Sequence, residues 1–257
     1  MAPFDPKAAV SFNIGRNGSQ TDMQLAVLKA YLRHNQKPEM IIHNLDSFSF
    51  VTTKEVYDPA QYLPYLNEPD IYRALHEIDP DVWWKSKYLP LYGYVVEDMR
   101  FNWLAGVKGL FGWSPAQDFF QGYNPRWGQW AEEFASFKAA NTQGVTFAID
   151  PAGVRLIEEL IDLCKQNGIR LMLVYSPEYR EMQPLTKNRA EIFARFRELA
   201  DRNGIPFWDF SNWEYSDRTE FFRNSQHLNA EGAEKFSTDL AARLATALPP
   251  AANLARH

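Results

Sequence analysis

Two Asn-Gly-Ile junctions constrain the fold of this chain more than any other feature of its sequence. Asn167-Gly168-Ile169 and Asn203-Gly204-Ile205 each follow a stretch with helical apolar spacing and precede a short apolar run. Glycine just beyond a helix readily adopts the positive φ that ends it. The sequence therefore predicts helices at about 151–167 and 187–203, followed by strands at 169–175 and 205–210.

The start of the chain shows the same alternation. Residues 11–14 predict a short strand, which runs through a glycine turn into a helix at about 22–35, and the apolar stretch after Pro38 predicts another strand. Strands that alternate with helices favour a parallel, doubly wound sheet. With 257 residues, of which 46% are hydrophobic, the chain is long enough for one such domain. We predict an α/β fold with a three-layer, flavodoxin-like parallel sheet over residues 1–257.

The middle of the chain, about 52–150, differs in composition and is predicted to be a helical and irregular insertion. Six of the eight tryptophans fall in it: Trp83, Trp84, Trp103, Trp113, Trp127 and Trp130. Aromatic rings stack on sugar rings or line an apolar acyl pocket, which favours a substrate-binding cap. The alternative is that these rings only pack the insertion onto the sheet.

The segment Tyr123-Asn-Pro-Arg-Trp127 near the end of the insertion is the best candidate for a substrate-contacting loop. Trp127 would offer an aromatic face to a ligand. Arg126 would pair with a carboxylate of an acidic glycan, unless it is simply a solvated turn residue.

A histidine stands in a polar turn near the C-terminus, in Asn224-Ser-Gln-His227-Leu-Asn229. Asn229 is a good N-cap for the amphipathic helix that follows, so His227 would be held just before the N-terminus of a rigid helix. A histidine fixed in this way can act as a general base. The alternative is a surface histidine in a helix-entry loop.

Two further segments are predicted to lie at the same edge of the sheet as His227. The turn Gly15-Arg-Asn17-Gly18-Ser19 leaves backbone N–H groups bare, and such groups can hydrogen-bond a developing oxyanion. The strand after Pro38 ends in Asn44-Leu-Asp46. Ligands of open α/β sheets bind at the carboxyl ends of the strands, so these segments are predicted to meet there.

These blocks resemble the signature blocks of the SGNH (GDSL-type) hydrolase superfamily. The resemblance is carried by Asn13-x-Gly15-x-Asn17-Gly18-x-x-Thr21, by the strand ending at Asp46, and by Asn224-x-x-His227-Leu-Asn-x-x-Gly-Ala. The similarity is greatest to the envelope-associated branch of the superfamily that is linked to polysaccharide modification.

The resemblance implies an esterase or O-acyltransferase that acts on acylated carbohydrate through a serine nucleophile, in the cell envelope or periplasm. It implies that His227 is the catalytic base, held by Asn224, and that Gly18 lines the oxyanion hole. Asn44 and Asp46 belong to the family's third block. Asn17 and Ser19, beside Gly18, are predicted to contact the substrate.

The sequence also departs from the family pattern. Only twelve residues precede Asn13, so the family's nucleophile block, a Gly-Asp-Ser or Gly-Ser-Ser turn after the first central strand, is missing. We expect the chain to start downstream of that strand. Asn224 stands where the family has aspartate, and an amide does not offset the charge of an imidazolium. The alternative function is therefore a non-catalytic carbohydrate-binding or assembly protein on the same fold.

Other functional classes are disfavoured by composition. The net charge is −5 and the sequence has no Lys/Arg cluster, which argues against binding to nucleic acid. No apolar run is long enough for a transmembrane segment, and no metal or cofactor motif occurs, so neither a metal nor a cofactor is predicted. Cys164 is expected to be a buried small hydrophobic residue rather than a nucleophile. Glu178, in the loop after the strand at 169–175, is expected to be a solvated carboxylate or to position substrate.

Overall fold

The computed structural model describes residues 11–92, 107–112, 121–128, 130–131 and 133–247. Trp103 and Trp113 of the predicted insertion lie outside the described residues. The α-helices are α1 (Thr21–His34), α2 (Pro69–Ile78), α3 (Pro80–Tyr88), α4 (Glu133–Ala140), α5 (Pro151–Gln166), α6 (Arg189–Asn203) and α7 (Ala230–Ala247). The strands are β1 (Met40–Leu45), β2 (Arg170–Tyr175), β3 (Phe207–Asp209), β4 (Phe222–Asn224) and β5 (His227–Leu228). Short 3-10 helices span Pro59–Gln61, Leu63–Tyr65, Arg180–Leu185 and Thr219–Phe221.

Three strands form a parallel sheet in the order β1-β2-β3. All six residues of β1 pair with β2, from Met40 opposite Arg170 to Leu45 opposite Tyr175. β3 lies on the other side of β2 and ends with Asp209 opposite Tyr175. The carboxyl ends of β1, β2 and β3 therefore lie at one edge of the sheet. The predicted α/β class and the parallel sheet are confirmed.

The central strand β2 is buried on both faces, as expected for a strand between two helical layers. One face carries Leu171, Leu173 and Tyr175, which pack against residues of α1, α5 and α6. The other face carries Met172 and Val174, which pack against an aromatic cluster and α7. That cluster includes Trp213, Phe221, Phe222 and Phe236.

The helix boundaries follow from local signals that the sequence displays. Gly168 and Gly204 have φ values of 68° and 64°, the left-handed conformation predicted for them. Asn229 caps α7, since its Oδ1 accepts the Gly232 N–H at 2.9 Å. Cys164 is buried in the core, which raises the pKa of its thiol to about 11, and this confirms the prediction of a packing residue.

The predicted strand at residues 11–14 is wrong. This segment has no strand pairing, and Phe12 and Ile14 are 69% and 37% exposed. The backbone N–H of Asn13 donates instead to the Gln121 carbonyl at 2.8 Å, and the side-chain Oδ1 of Asn13 accepts the Gly15 N–H. A run of four residues forms a strand only beside an open strand edge. In this chain the backbone of residues 11–14 pairs with a loop instead.

The insertion divides into two parts. In the first part, Tyr62, Ile71 and Ile78 pack against α1 in a separate apolar cluster. Trp83 also packs inside this part, with its ring centroid 4.4 Å from His76 and 5.4 Å from Tyr72, so packing is the better interpretation for it. The second part, residues 121–128 and 130–131, lies near β4 and β5.

Candidate active site at the carboxyl edge of the sheet

His227 lies in an antiparallel hairpin formed by β4 and β5. The Asn224 Oδ1 accepts three hydrogen bonds, from the Gln226 N–H at 3.1 Å, from the His227 N–H at 3.0 Å, and from His227 Nδ1 at 2.9 Å. The two backbone donors identify this atom as the amide oxygen, which only accepts. Nδ1 therefore carries the proton, and Nε2 has the free lone pair. The predicted contact between Asn224 and His227 is confirmed.

The surroundings of His227 favour the neutral ring. Partial removal of water lowers the pKa of His227 below its ordinary value of 6.5, and the nearby positive charge of Arg223 lowers it further. The residue as a whole is nevertheless exposed. None of the described serine hydroxyls is hydrogen-bonded to Nε2.

The ends of β1 and β2 are joined by the side chain of Asn44. Its Oδ1 accepts from the backbone N–H of Ser176 at 3.2 Å and from the hydroxyl of the same residue, and its Nδ2 donates to Asp46 Oδ1 at 3.2 Å. An amide nitrogen has two N–H groups, and the second one of Asn44 has no acceptor among the described residues. Burial raises the pKa of Asp46 to about 6, and the hydrogen bond from Asn44 opposes this rise.

Glu178 is not the solvated loop carboxylate that the sequence favoured. It is buried and forms an ion pair with Arg189, and its Oε2 accepts from the Tyr175 hydroxyl at 3.1 Å. The Tyr175 hydroxyl is also 2.9 Å from the Ser47 hydroxyl. Burial raises the pKa of Glu178, and the charge of Arg189 counteracts this. The side chains of Ser47, Tyr175, Glu178 and Arg189 thus form a network that supports the loops at the edge of the sheet.

Backbone hydrogen bonds attach the His227 hairpin to two neighbouring loops. The Tyr179 N–H, in the loop after β2, donates to the Ser225 carbonyl at 2.9 Å. The Ala131 N–H donates to the Arg223 carbonyl of β4 at 2.8 Å, and the N–H of Ala230, the first residue of α7, donates to the Arg126 carbonyl at 3.0 Å. Arg126 is exposed, and Trp127 is 79% exposed. The predicted substrate loop therefore lies against the hairpin.

The glycine turn lies against the first part of the insertion. The N–H of Asn17 donates to Gln61 Oε1 at 3.1 Å, and Gln61 Nε2 donates to the Asn17 carbonyl at 2.8 Å. Gly18 has a φ of 59°, and a Cβ on it would lie 2.2 Å from a ring carbon of Tyr57. Ser19 is buried. Only glycine fits at position 18, and among the described residues nothing accepts a hydrogen bond from its N–H.

No described hydrogen bond joins the glycine turn directly to His227. The connection is indirect and runs through the segment 121–128. The Asn13 N–H donates to the Gln121 carbonyl at one end of that segment, and the Arg126 carbonyl accepts from α7 near the other end. The structure thus brings together His227, Asn224 and the loop of Arg126 in one group. Asn44 and Asp46 form a second group, and Gly18 belongs to a third.

Comparisons with protein-family models, with curated proteins and with solved structures give no match to this chain. Within the described residues, no helix has the length and apolar character needed to cross a membrane. The same residues contain no group of three or more His, Cys, Asp or Glu side chains placed to hold a metal ion.

His43 and Asp46, near the end of β1, are expected to affect stability in opposite directions as the pH falls. Burial lowers the pKa of His43 from its ordinary value of 6.5 to about 4. The stability that the buried, neutral imidazole contributes is therefore present above pH 6.5 and is lost as the pH falls. The raised pKa of Asp46 has the opposite effect on stability. As the pH falls, the folded state binds the carboxyl proton at a higher pH than the unfolded state does, which stabilises the fold. Between pH 7 and 5, we expect a loss of about 2 kcal/mol through His43 and a gain of about 1 kcal/mol through Asp46.

Urea unfolding at the two pH values tests this with single variants. Between pH 7 and pH 5, His43→Leu should lose about 2 kcal/mol less stability than the wild type does, since the His43 effect is removed. Asp46→Asn should lose more stability on acidification than the wild type does. The same pH response in both variants would contradict the assignment.

Proposed function

We propose that this chain carries an acyl-ester site of the SGNH (GDSL-type) kind, belonging to an esterase or O-acyltransferase that acts on acylated carbohydrate. The observation that supports this most is the geometry of His227. The Asn224 oxygen holds the protonated Nδ1, and the exposed ring presents the Nε2 lone pair beside the carboxyl edge of a parallel sheet. In this proposal, the three observed strands belong to a flavodoxin-like, three-layer sheet.

His227 acts as the base in the proposed reaction. A hydroxyl oxygen attacks the acyl carbon of the ester, its proton passes to Nε2, and the same proton then passes to the departing sugar oxygen. The lowered pKa of His227 keeps the ring neutral near pH 7 and ready to accept that proton. The resemblance assigns the oxyanion donors to Gly18 and Asn44, but no described hydrogen bond joins either residue to His227, so the proposed reaction depends on His227 alone.

The rate of this chain is expected to be low. None of the described serines is hydrogen-bonded to Nε2, so the attacking hydroxyl would come from water assisted by His227. General-base assistance typically contributes about 10²–10⁴-fold. Asn224 leaves the charge of the imidazolium uncompensated, which reduces the rate enhancement from general-base assistance further.

Hydrolysis of p-nitrophenyl acetate tests the proposal. We expect slow turnover that His227→Ala reduces by about tenfold or more, with an activity rise between pH 5 and 7 as the imidazole loses its proton. His34→Ala is the matched control, because His34 is an exposed histidine on α1 and should not affect the rate. Turnover that is equal in the His227→Ala variant would refute the role of His227 as base.

A second candidate function is a carbohydrate-binding protein without turnover on the same fold. The neutral Asn224 behind the imidazole favours it, as does the lack of a serine–histidine hydrogen bond among the described residues. This candidate predicts binding of an oligosaccharide with no hydrolysis of its acetyl ester above the buffer rate.

A further inference from the structure

A cavity of about 500 Å³ opens next to the His227 hairpin. It is lined by Trp130, Phe134, Ala135, Ser136, Tyr179, Glu181 and Thr219. Two backbone hydrogen bonds fix its position relative to the hairpin. The Tyr179 N–H donates to the Ser225 carbonyl, and the Ala131 N–H donates to the Arg223 carbonyl at 2.8 Å.

The wall of the cavity is a compact group of aromatic rings. The ring centroid of Tyr179 lies 4.7 Å from that of Trp130 and 5.5 Å from that of Phe134. Phe134 is buried and supports the other two rings from behind, while Trp130 and Tyr179 are partly exposed. Rings held in this way offer a rigid surface at little cost in conformational entropy.

The polar side of the cavity is formed around Glu181. Its Oε2 accepts from Lys138 Nζ at 2.7 Å, and its Oε1 accepts from the Tyr179 hydroxyl at 3.4 Å. The bond from Lys138 lowers the pKa of Glu181, which is therefore ionised at neutral pH. The hydroxyl-bearing residues Ser136 and Thr219 also line the cavity.

We propose that this cavity is a subsite for a neutral sugar unit. Carbohydrates combine apolar C–H faces with rings of hydroxyl groups, and the cavity combines aromatic faces with a carboxylate acceptor. Glu181 is already paired with Lys138, and none of the lining residues is a cation that could bind the carboxylate of a uronic acid, which favours neutral sugars. A pocket for an acyl chain would lack a carboxylate in its wall. The volume lies within the roughly 300–1,000 Å³ of small-molecule sites.

This subsite deepens the proposed function, and its link to chemistry at His227 depends on that function. The cavity borders the hairpin that carries His227, so a sugar held by Trp130 and Tyr179 would lie beside the hairpin and next to the acylated unit. The subsite binds the carbohydrate part of the substrate, while His227 acts on the ester.

Isothermal titration calorimetry with cellotetraose, mannotetraose, trigalacturonate and octanoate tests the proposal. We expect at least one neutral tetrasaccharide to bind, and Glu181→Gln to weaken that binding about tenfold or more, since it removes a charged acceptor without changing shape. Glu159→Gln is the matched control, because Glu159 is also an exposed glutamate paired with a lysine but lies on α5. Trp130→Ala should abolish binding, whereas Trp84→Ala, on α3, should not.

Three results would overturn the subsite: no binding of either neutral tetrasaccharide, binding unchanged in both Glu181→Gln and Trp130→Ala, or stronger binding of trigalacturonate or octanoate. Circular dichroism of each variant controls for loss of folding. His34→Ala should bind sugar as the wild type does. Binding that depends on Glu181, together with no turnover that depends on His227, would refute the proposed function and support the subsite.

Discussion

An Asn224→Asp variant is expected to raise the pKa of His227 by about 1–3 units. The present side chain is neutral, and its oxygen lies 2.9 Å from Nδ1. A carboxylate in the same place would stabilise the imidazolium, against the loss of water and the charge of Arg223 that now lower the pKa of the ring. A proton NMR titration of the imidazole C–H resonances measures this change directly.

The same variant is expected to hydrolyse p-nitrophenyl acetate about tenfold or more faster at a pH above the pKa that the NMR titration gives for its His227, where the ring is neutral. Replacing the aspartate of a complete catalytic triad by asparagine costs on the order of 10⁴ in turnover, so the reverse change should recover part of that factor. Asn212→Asp adds the same charge at an exposed position and should leave the pKa of His227 unchanged. An unaltered pKa in Asn224→Asp would show that residue 224 does not hold the ring in solution.

Glu178→Ala is expected to lower the free energy of unfolding by about 3–5 kcal/mol. The substitution leaves the guanidinium of Arg189 largely buried without its carboxylate, and it removes the acceptor of the Tyr175 hydroxyl. Glu181→Ala is a close control three residues away, since Glu181 is exposed and its pair with Lys138 should contribute below about 1 kcal/mol. Urea unfolding at pH 7 compares the two variants.

The double variant Glu178→Ala/Arg189→Ala separates the ion pair from ordinary packing. If the unpaired charge is the main cost, the double variant should be less destabilised than the sum of the two single variants by more than about 1 kcal/mol. Additive losses would mean that Glu178 stabilises the loop by packing alone. Equal effects of Glu178→Ala and Glu181→Ala would contradict the difference in burial.

The elements predicted correctly depend on local signals. The helices that end at Gly168 and Gly204 combine an apolar stripe with a residue suited to positive φ, and both features lie within one turn of the chain. The apolar strands between them have no competing pattern. The hydrogen bond between Asn224 and His227 was also predictable, because the partners are three positions apart within one hairpin.

The features that the sequence did not predict depend on distant residues. Residues 11–14 look like a strand, but strand formation needs a neighbouring edge, and Asn13 pairs with Gln121 instead. The burial of Glu178 depends on Arg189 at the start of another helix. The ring contact between Trp130 and Tyr179 joins the insertion to the loop after β2, and no spacing in the sequence shows that contact.

The loop after β2 has a consequence for how this chain can vary in length. Ser176 bonds to Asn44, Glu178 points into the interior, and Tyr179 faces the aromatic cavity, all within four consecutive residues. Adding one residue before Glu178 would move its carboxylate into the cavity wall, and removing one would move the ring of Tyr179 towards Arg189. We therefore expect this loop to tolerate substitutions far better than insertions or deletions, in contrast to the exposed parts of the chain around it.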